Sequence, residues 1–303
     1  MKFTEIQVKE ILNDIIFNVY SNNPVILSGL WDARGEREYI EFFHSQYEAI
    51  LLDFNELFSN DAPQRVLEIS AFLGVVDIAL ATMGFEVHTY DVPEFQNNTR
   101  LKQLYAEFNV HPSTGYVKDI GKNGLPYPDD HFDAVLLSEV IEHLNFNPLP
   151  VLQEINRILK PGGILYITTP NQVSLVNRIA IVLGRSIRNS LNDSLTQVDQ
   201  AQRAICGIHW REYTLKELVE LLEITGFSIK KHSYSNNAKN TQVRKRFFLL
   251  IFGFIHKFFP GSGNSITVIG KKKEYRPIAF WFQDEYIKYY PNRDPPGPVR
   301  KNG

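Results

Sequence analysis

Between Arg65 and Pro93, the hydrophobic and polar positions follow the order strand, turn, helix and strand. A short apolar run ends in Glu68 and a turn of mostly small residues. Apolar residues then recur at helical spacing as far as Gly84, where a helix C-terminal glycine is expected, and an alternating run closes on Asp91. The pattern predicts a βαβ unit, and parallel sheets built from such units bind ligands at the carboxyl ends of their strands.

The remaining chain continues this alternation of elements. Upstream, residues 1–60 carry two helical stripes separated by a loop over residues 22–38. Downstream, the patterns predict helices and strands in turn, with a near-continuous apolar run in the fourth strand, as burial on both faces requires. The predicted segments are helix 96–108, strand 115–120, strand 132–137, helix 149–159, turn 160–163, strand 164–168, helix 215–225, strand 227–234 and strand 265–270.

Composition narrows the class of protein. The chain has 303 residues, 44% hydrophobic and 22% charged, which suits one large domain with insertions or one and a half domains. Its net charge of −2 gives no basic field, so we expect no nucleic-acid partner. Cys206, the single cysteine, excludes an internal disulfide and a cysteine-based metal knuckle. Acidic residues within the first apolar stripe argue against a signal peptide, so we expect a cytoplasmic protein.

The turn after the first strand carries the first indication of function. Residues 68–74 read E-I-S-A-F-L-G, which resembles the E-x-G-x-G-x-G turn of class I S-adenosylmethionine-dependent methyltransferases. Ser70 and Phe72 stand where that family has glycines. In such a fold, Asp91 is placed to accept hydrogen bonds from the two ribose hydroxyls of an adenosine. The resemblance implies S-adenosyl-L-methionine as cofactor. It also implies that Asp119 accepts a hydrogen bond from the adenine amino group and that Ile120 lies against the face of the ring. The cofactor-binding residues that it implies are Glu68, Ser70, Gly74, Asp91, Asp119, Ile120 and Glu139.

Two later stretches carry the same resemblance in the same order. Residues 132–144, F-D-A-V-L-L-S-E-V-I-E-H-L, are similar to a signature of these methyltransferases, as in the ubiquinone-pathway O-methyltransferases, and L-K-P-G-G-I-L-Y-I-T-T-P-N follows at residues 159–171. The implied fold is α/β: a doubly wound Rossmann-like sheet, mostly parallel with an antiparallel last strand, a helical N-terminal segment, and insertions after strands 5 and 6. The implied domains are a helical cap (1–60), the methyltransferase domain (61–273) with insertions at 172–207 and 244–260, and an aromatic strap with a disordered tail (274–303).

Two histidines are the candidate catalytic residues. A sulfonium methyl group is already activated, so the protein must mainly align the acceptor and, for an oxygen acceptor, remove a proton. By resemblance, His143 and His209 lie on the acceptor side, and histidine has the side-chain pKa nearest to working pH. Either could instead be structural. Glu139 and Glu142 complete an E-x-x-E-H cluster that, with His209, could ligate a divalent ion, but we expect no metal.

The two insertions raise further hypotheses. Arg178, Arg185 and Arg188 share one helical face if a helix continues through Gly184, and such a row could hold an anionic acceptor or simply be solvated. Residues 244–259 are basic and then apolar, which suits a buried helix or a peripheral membrane contact.

Three functions compete. The first is a methyltransferase acting on an oxygen, or in second place a nitrogen or carbon, of a small-molecule or glycan- or lipid-linked acceptor. The second is a non-catalytic relative that binds a partner, suggested by Ser70 and Phe72. The third is a nicotinamide-dependent dehydrogenase. Such enzymes share the βαβ unit, but not the acidic residue that stands here at Glu68 or the two later stretches.

Overall fold

A computed structural model describes residues 2–27, 32–58, 64–190, 208–235 and 261–273. In these residues seven strands form one sheet in the order β3-β2-β1-β4-β5-β7-β6. Neighbouring strands are parallel except at β7, which runs antiparallel to β5 and to β6. This is the mostly parallel sheet with an antiparallel last strand that the sequence predicts. The strands are β1 (Arg65–Ile69), β2 (Glu86–Asp91), β3 (His111–Thr114), β4 (Phe132–Ser138), β5 (Leu159–Pro170), β6 (Phe227–Ser235) and β7 (Ser265–Lys272).

Nine α-helices of the described residues surround this sheet. Side chains cap several of them: Thr4 and Gln7 form a capping box at the first helix, and Thr214 and Glu217 form one at the last. The helices are α1 (Glu5–Asp14), α2 (Ala33–Leu57), α3 (Val75–Thr82), α4 (Pro93–Gln96), α5 (Thr99–Glu107), α6 (Val117–Asn123), α7 (Leu149–Ile158), α8 (Leu175–Val182) and α9 (Leu215–Ile224). A π-helical turn (Ile15–Tyr20) extends α1, and a 3₁₀ turn (Ile141–His143) follows β4.

The sheet separates two apolar layers. Side chains alternate along β1, so that Val66 belongs to the core beneath α1, α2, α3 and α5, whereas Leu67 and Ile69 belong to the core beneath α7 and α9. The two layers cover both faces of the parallel strands, which explains why β4 reads as a continuous apolar run. With both faces covered, the edge formed by the strand ends is left for ligands.

The predicted third strand over residues 115–120 is wrong. The third strand is β3, and Asp119 and Ile120 lie in α6 instead, with Asp119 in the first turn of that helix. β3 is an edge strand of the sheet, and three of its four residues are exposed. A strand so placed needs no apolar alternation, so the apolar residues after Gly115 were the misleading signal.

Three further boundaries differ from the predictions. The loop predicted over residues 22–38 ends earlier, because Asp32 caps α2 by accepting a hydrogen bond from Gly35 N. The segment 160–163 belongs to β5 rather than to a turn, across an irregularity in the β4–β5 register. Helix α8 ends before Gly184, so the three arginines do not form a row on one helix.

Several predicted segments lie outside the described residues: the apolar stretch at 244–260, the strap and tail beyond residue 273, and residues 191–207 of the first insertion. None of the helices in the described part of the chain is long and apolar enough to cross a membrane.

Candidate active site

Acidic residues follow three neighbouring strands at the carboxyl edge of the sheet. Glu68 lies near the end of β1, Asp91 ends β2, and Glu139 follows β4. The side chains of Glu68 and Asp91 are buried, with 5% and 3% of their surface exposed. Buried carboxyl groups are costly unless a donor, a cation or a proton satisfies them, so this edge is built for more than packing.

The turn between β1 and α3 holds an unusual backbone conformation. Ser70, Phe72 and Gly74 have φ angles of 62°, 55° and 71°, in the left-handed region that favours glycine. Ser70 and Phe72 therefore adopt the conformation of the glycines that they replace. Ser70 N donates to Tyr90 O over 2.8 Å, which ties the turn to β2. The turn keeps a glycine-type shape without two of its glycines.

The ring of Phe72 is accommodated among other rings. It packs edge-on against Tyr39 of α2 and Phe95 of α4, with ring centroids 5.3 Å and 5.1 Å away. Gly74 is required for space as well as for φ, since a Cβ atom there would lie 2.6 Å from the Tyr105 hydroxyl. Tyr20, from the π-helical turn, donates its hydroxyl to the carbonyl of Leu73 and so anchors the turn from the other side.

Asp91 is held by backbone donors. Its Oδ2 accepts from Phe72 N over 2.7 Å and its Oδ1 from Val92 N over 2.6 Å. Burial raises the pKa of Asp91 to about 6, while these two hydrogen bonds act in the opposite direction. Each oxygen keeps a second lone pair, so the carboxylate can still accept hydrogen bonds from a diol.

Asp119 and Ile120 do not lie at a strand end. Asp119 is half-buried on α6 and close enough to Tyr90 for its charge to raise the pKa of that tyrosine, after the larger effect of burial. Ile120 is 1% exposed, within the core layer that includes Leu125. Their assignment to the adenine ring therefore stays a prediction, made harder for Ile120 by its burial.

A polar network fills the edge beyond β4 and β5. The Nε2 of Gln46, on α2, lies 2.9 Å from Glu139 Oε1 and 2.8 Å from Thr168 Oγ1. Glu139 N donates to Thr168 O, and its φ of 53° directs the chain away from β4. Burial raises the pKa of Glu139. Helix α2 thus contributes the side chain of Gln46 directly to the site at the carboxyl ends of the strands.

Glu142 and the two candidate histidines lie next to this network. Glu142 is fully buried; its Oε2 accepts from Thr169 Oγ1 over 3.0 Å, and burial, then the charge of Glu139, raises its pKa well above the usual range. The rings of His143 and His209 meet edge to face, with centroids 5.0 Å apart. The structure therefore brings together two histidines that are 66 positions apart in the sequence (209 − 143 = 66).

The two histidines differ in their partners. His143 Nδ1 lies 2.8 Å from the carbonyl of Ile208, so this nitrogen carries the proton, and burial lowers the pKa of His143 to about 4. The 3.9 Å approach of Glu142 to His143 Nε2 is then not an ion pair at neutral pH. His209 Nδ1 lies 3.3 Å from Glu212 Oε1, and Glu212 Oε2 accepts from Asn177 of α8 over 3.0 Å. A carboxylate at Nδ1 leaves Nε2 of His209 as the proton acceptor.

One group of these side chains has the geometry of a metal site. Glu142, His143 and His209 each offer a ligand atom, and these atoms lie within 4.8 Å of one another. The sequence hypothesis of a metal-capable cluster therefore has a geometric counterpart, although Glu139 is not part of the group.

Three side chains of the site were missed in the sequence analysis. Gln46 and Glu212 reach the site through tertiary contacts with Glu139 and His209, which local spacing does not report. Asp77 lies in the first turn of α3, fully buried, within an otherwise apolar helix stripe. That acid on an apolar face was the one signal available for it.

The comparisons with known proteins agree with this geometry. Residues 40–232 match the model of a protein family that is described as "Methyltransferase domain". The chain belongs to this methyltransferase family. Ubiquinone biosynthesis O-methyltransferases of Xanthomonas oryzae pv. oryzae and Xylella fastidiosa are each 28% identical, over 153 and 156 residues. Those alignments cover 50% and 51% of this chain and 60% of each relative.

A solved structure supports the fold. The complex between the Haloferax volcanii Trm112 methyltransferase activator and a methyltransferase contains a chain that superposes with a TM-score of 0.53 and 18% identity. The match covers 81% of this chain and 95% of that one. The expected Rossmann-like fold is confirmed, and the dehydrogenase hypothesis is wrong, because the family whose model matches is a methyltransferase family. The match makes S-adenosyl-L-methionine, the cofactor that the sequence resemblance implies, the group to compare with the strand-end residues.

The strand-end residues fit this cofactor. Glu68 has a buried oxygen, Oε2, without a hydrogen-bond partner in the described ranges, as expected beside a cationic or donor-rich ligand. Asp91 keeps acceptor capacity for a diol, and the turn holds the glycine-type conformation that lets a ligand approach the backbone. If S-adenosylmethionine is bound there, its sulfonium would supply the methyl group.

Proposed function

We propose that this methyltransferase transfers its methyl group to an oxygen of a small-molecule acceptor, including acceptors linked to a glycan or lipid. The sequence relatives named ubiquinone biosynthesis O-methyltransferases support oxygen as the methylated atom, although this chain spans 60% of their length. The observation that carries the proposal is the His209–Glu212 contact, since an oxygen acceptor needs a base at hand.

His209 is the general base in this proposal. Its Nδ1 is engaged by Glu212, which fixes the ring orientation and stabilises the imidazolium that forms when Nε2 takes the acceptor's proton. His143 has the second role: with a pKa of about 4 it stays neutral and packs against His209, which restricts the His209 ring. Glu212 is a positioning residue, held in turn by Asn177.

The cofactor is assigned to the other half of the edge. Asp91 accepts the ribose hydroxyls, the backbone of the turn at Ser70 and Gly74 approaches the cofactor, and Glu68 supplies negative charge near its amino acid part. Glu139 closes the pocket toward the acceptor side. Asp119 remains assigned to the adenine amino group from the first turn of α6, and Ile120 to the adenine ring.

A metal-assisted reaction is the second candidate, favoured by the grouping of Glu142, His143 and His209. Two imidazoles and a carboxylate suit a transition-metal ion. Against it, Thr169 already engages one oxygen of Glu142, and burial favours the protonated form of that carboxyl. We propose that no metal is required.

The test measures methyl transfer from labelled S-adenosylmethionine to a panel of probes: a vicinal diphenol such as 3,4-dihydroxybenzoate, methyl glycosides and primary amines. We expect transfer to a hydroxyl and a loss of about 10²–10⁴-fold in kcat for His209→Ala, with cofactor binding unchanged. Glu212→Gln should lower kcat and shift its pH profile while leaving KM nearly constant. Glu220→Gln, a half-exposed acid on α9, is the matched control.

The outcomes separate the candidates. If amines alone accept the methyl group, oxygen is the wrong atom. If His209→Ala keeps full activity, alignment of the acceptor carries the reaction, and His209 is not the base.

A further inference from the structure

Two carboxyl groups are buried against each other beneath the turn that precedes α3. Glu68 projects from β1 and Asp77 from the first turn of α3; their side chains are 5% and 0% exposed, and the two carboxyls interact directly. Glu68 Oε2 and Asp77 Oδ1 are both buried without a hydrogen-bond partner among the described residues. Two such orphaned oxygens in one place are a cost that the fold keeps for a reason.

The surroundings do not neutralise this pair. Within the described chain, the groups that act on it are acidic or phenolic, and no cation is among those that shift either pKa. Asp91 adds negative charge from β2, and Tyr105 points its hydroxyl at Asp77 Oδ2 over 3.5 Å. The charge of Glu68 or Asp77 also raises the pKa values of three other tyrosines, Tyr20, Tyr39 and Tyr47. The charges of Glu36 and Arg100 affect the pKa of Tyr20 as well.

One proton resolves the conflict. Two ionised carboxylates have no hydrogen to share and repel each other, whereas a singly protonated pair forms one O–H···O⁻ hydrogen bond. Burial raises the pKa of Asp77 to about 7 and that of Glu68 well above its usual range. The tyrosines stay neutral, because burial raises their pKa values further. Without a ligand, the pair therefore carries about one negative charge at neutral pH.

A cation beneath the turn would replace that proton. Glu68 precedes and Asp77 follows the turn at residues 70–74, which the proposed cofactor placement puts in contact with S-adenosylmethionine, and this cofactor carries a positive sulfonium. Asp77 lies in the first turn of α3, where the helix dipole favours the ionised carboxylate. We propose that Glu68 and Asp77 share one proton as a unit, and that binding of the sulfonium cofactor expels this proton to solvent.

This inference rests on the proposed cofactor placement, and it adds Asp77 as a positioning residue for charge. The proton leaves as the cation arrives, so the buried net charge stays nearly constant. S-adenosylhomocysteine has a neutral thioether in place of the sulfonium, so its binding should expel a smaller fraction of a proton. The substitution Asp77→Asn would remove the charge of Asp77, which adds to the effect of burial in raising the pKa of Glu68, so Glu68 in the variant should hold its proton less tightly.

The experiment is titration calorimetry of the full chain at pH 7 in buffers of different ionisation enthalpy, with S-adenosylmethionine and S-adenosylhomocysteine as ligands. The slope of the observed heat against buffer ionisation enthalpy gives the protons released. Because the unliganded pair holds about one proton at pH 7, its expulsion should release close to one proton per wild-type site with the sulfonium ligand. Asp77→Asn should release a smaller fraction of a proton than wild type with the same ligand, because only burial and Asp91 then raise the pKa of Glu68. Asp129→Asn, an exposed acid paired with Arg157, is the matched control and should behave as wild type.

A wild-type slope of zero, or one that is unchanged in Asp77→Asn, overturns the proposal while leaving the cofactor placement intact. If neither ligand binds, the cofactor placement fails instead, and thermal unfolding still tests the shared proton. The pKa of Asp77 is raised by folding, so wild-type stability should fall as pH rises from about 4 through about 7. Asp77→Asn should reduce this slope and melt higher than wild type at pH 8. Parallel melting curves for the two proteins across this range would refute proton sharing.

Discussion

Replacement of Gly74 by alanine tests how the cofactor turn is held. The added Cβ would meet the Tyr105 hydroxyl at 2.6 Å and its Cε1 at 2.7 Å, closer than real carbon contacts. Tyr105 is 1% exposed, so it has little space to move aside. The φ of 71° adds a backbone cost of about 1–2 kcal/mol for an L-residue, and overpacking adds about 1–3 kcal/mol. We expect Gly74→Ala to lower the free energy of unfolding by about 2–5 kcal/mol.

Gly84→Ala is the matched control for the backbone part. Gly84 also has a positive φ, of 92°, but a Cβ atom added there would meet no other atom within 4 Å, so only the conformational cost applies. Urea unfolding of both variants, with Tyr105→Phe added to Gly74→Ala, separates the two contributions. Tyr105→Phe should recover only the part caused by the hydroxyl, because Cε1 remains close. If Gly74→Ala costs no more than Gly84→Ala and binds cofactor as wild type does, Tyr105 does not constrain the turn.

Three further results are expected. Burial raises the pKa of Asp91 to about 6, so cofactor affinity should fall as pH drops from about 7 to about 5 and Asp91 takes up a proton. As the pH drops over the same interval, the unliganded wild type should gain stability relative to Asp91→Asn, because folding raises the pKa of Asp91. Calorimetric titration checks the affinity, and thermal melting curves check the stability. A chelator should leave methyl transfer unchanged; activity that is lost and restored by one divalent ion would identify Glu142, His143 and His209 as its site. Tyr20→Phe removes the donor to the Leu73 carbonyl and should lower the free energy of unfolding by about 1–3 kcal/mol in urea titrations. An unchanged free energy of unfolding would contradict this and would mean that water replaces the hydroxyl.

The sequence predicts the centre of the fold well, because local pattern and burial agree there. The β1–α3–β2 unit and β4 are confirmed, since their apolar runs match the buried faces that they occupy. The prediction failed at β3, an exposed edge strand whose residues His111–Thr114 carry no apolar alternation. A strand that buries little surface does not need alternating apolar residues, so hydrophobic periodicity cannot locate it.

The candidate site divides in the same way. Glu68 and Asp91 could be located from the sequence, since a strand end fixes where a carboxyl lies in a parallel sheet. Gln46 and Glu212 could not, because each reaches the site from a separate helix or loop through a contact made only in the folded chain. Spacing along the chain reports neighbours on one element, and these pairs join different elements.

The reversed direction of β7 has a consequence for how acceptor selectivity can change. Because β7 begins at the edge where β5 ends, Ser265 pairs with Pro170 on one side and with Ser235 on the other. The β5–α9 and β6–β7 connections therefore start side by side, at the ends of β5 and β6. Lengthening a surface connection costs little free energy, since closure entropy grows slowly with length. Both connections can be rebuilt for a new acceptor while the turn and Asp91, three strands away, keep the cofactor.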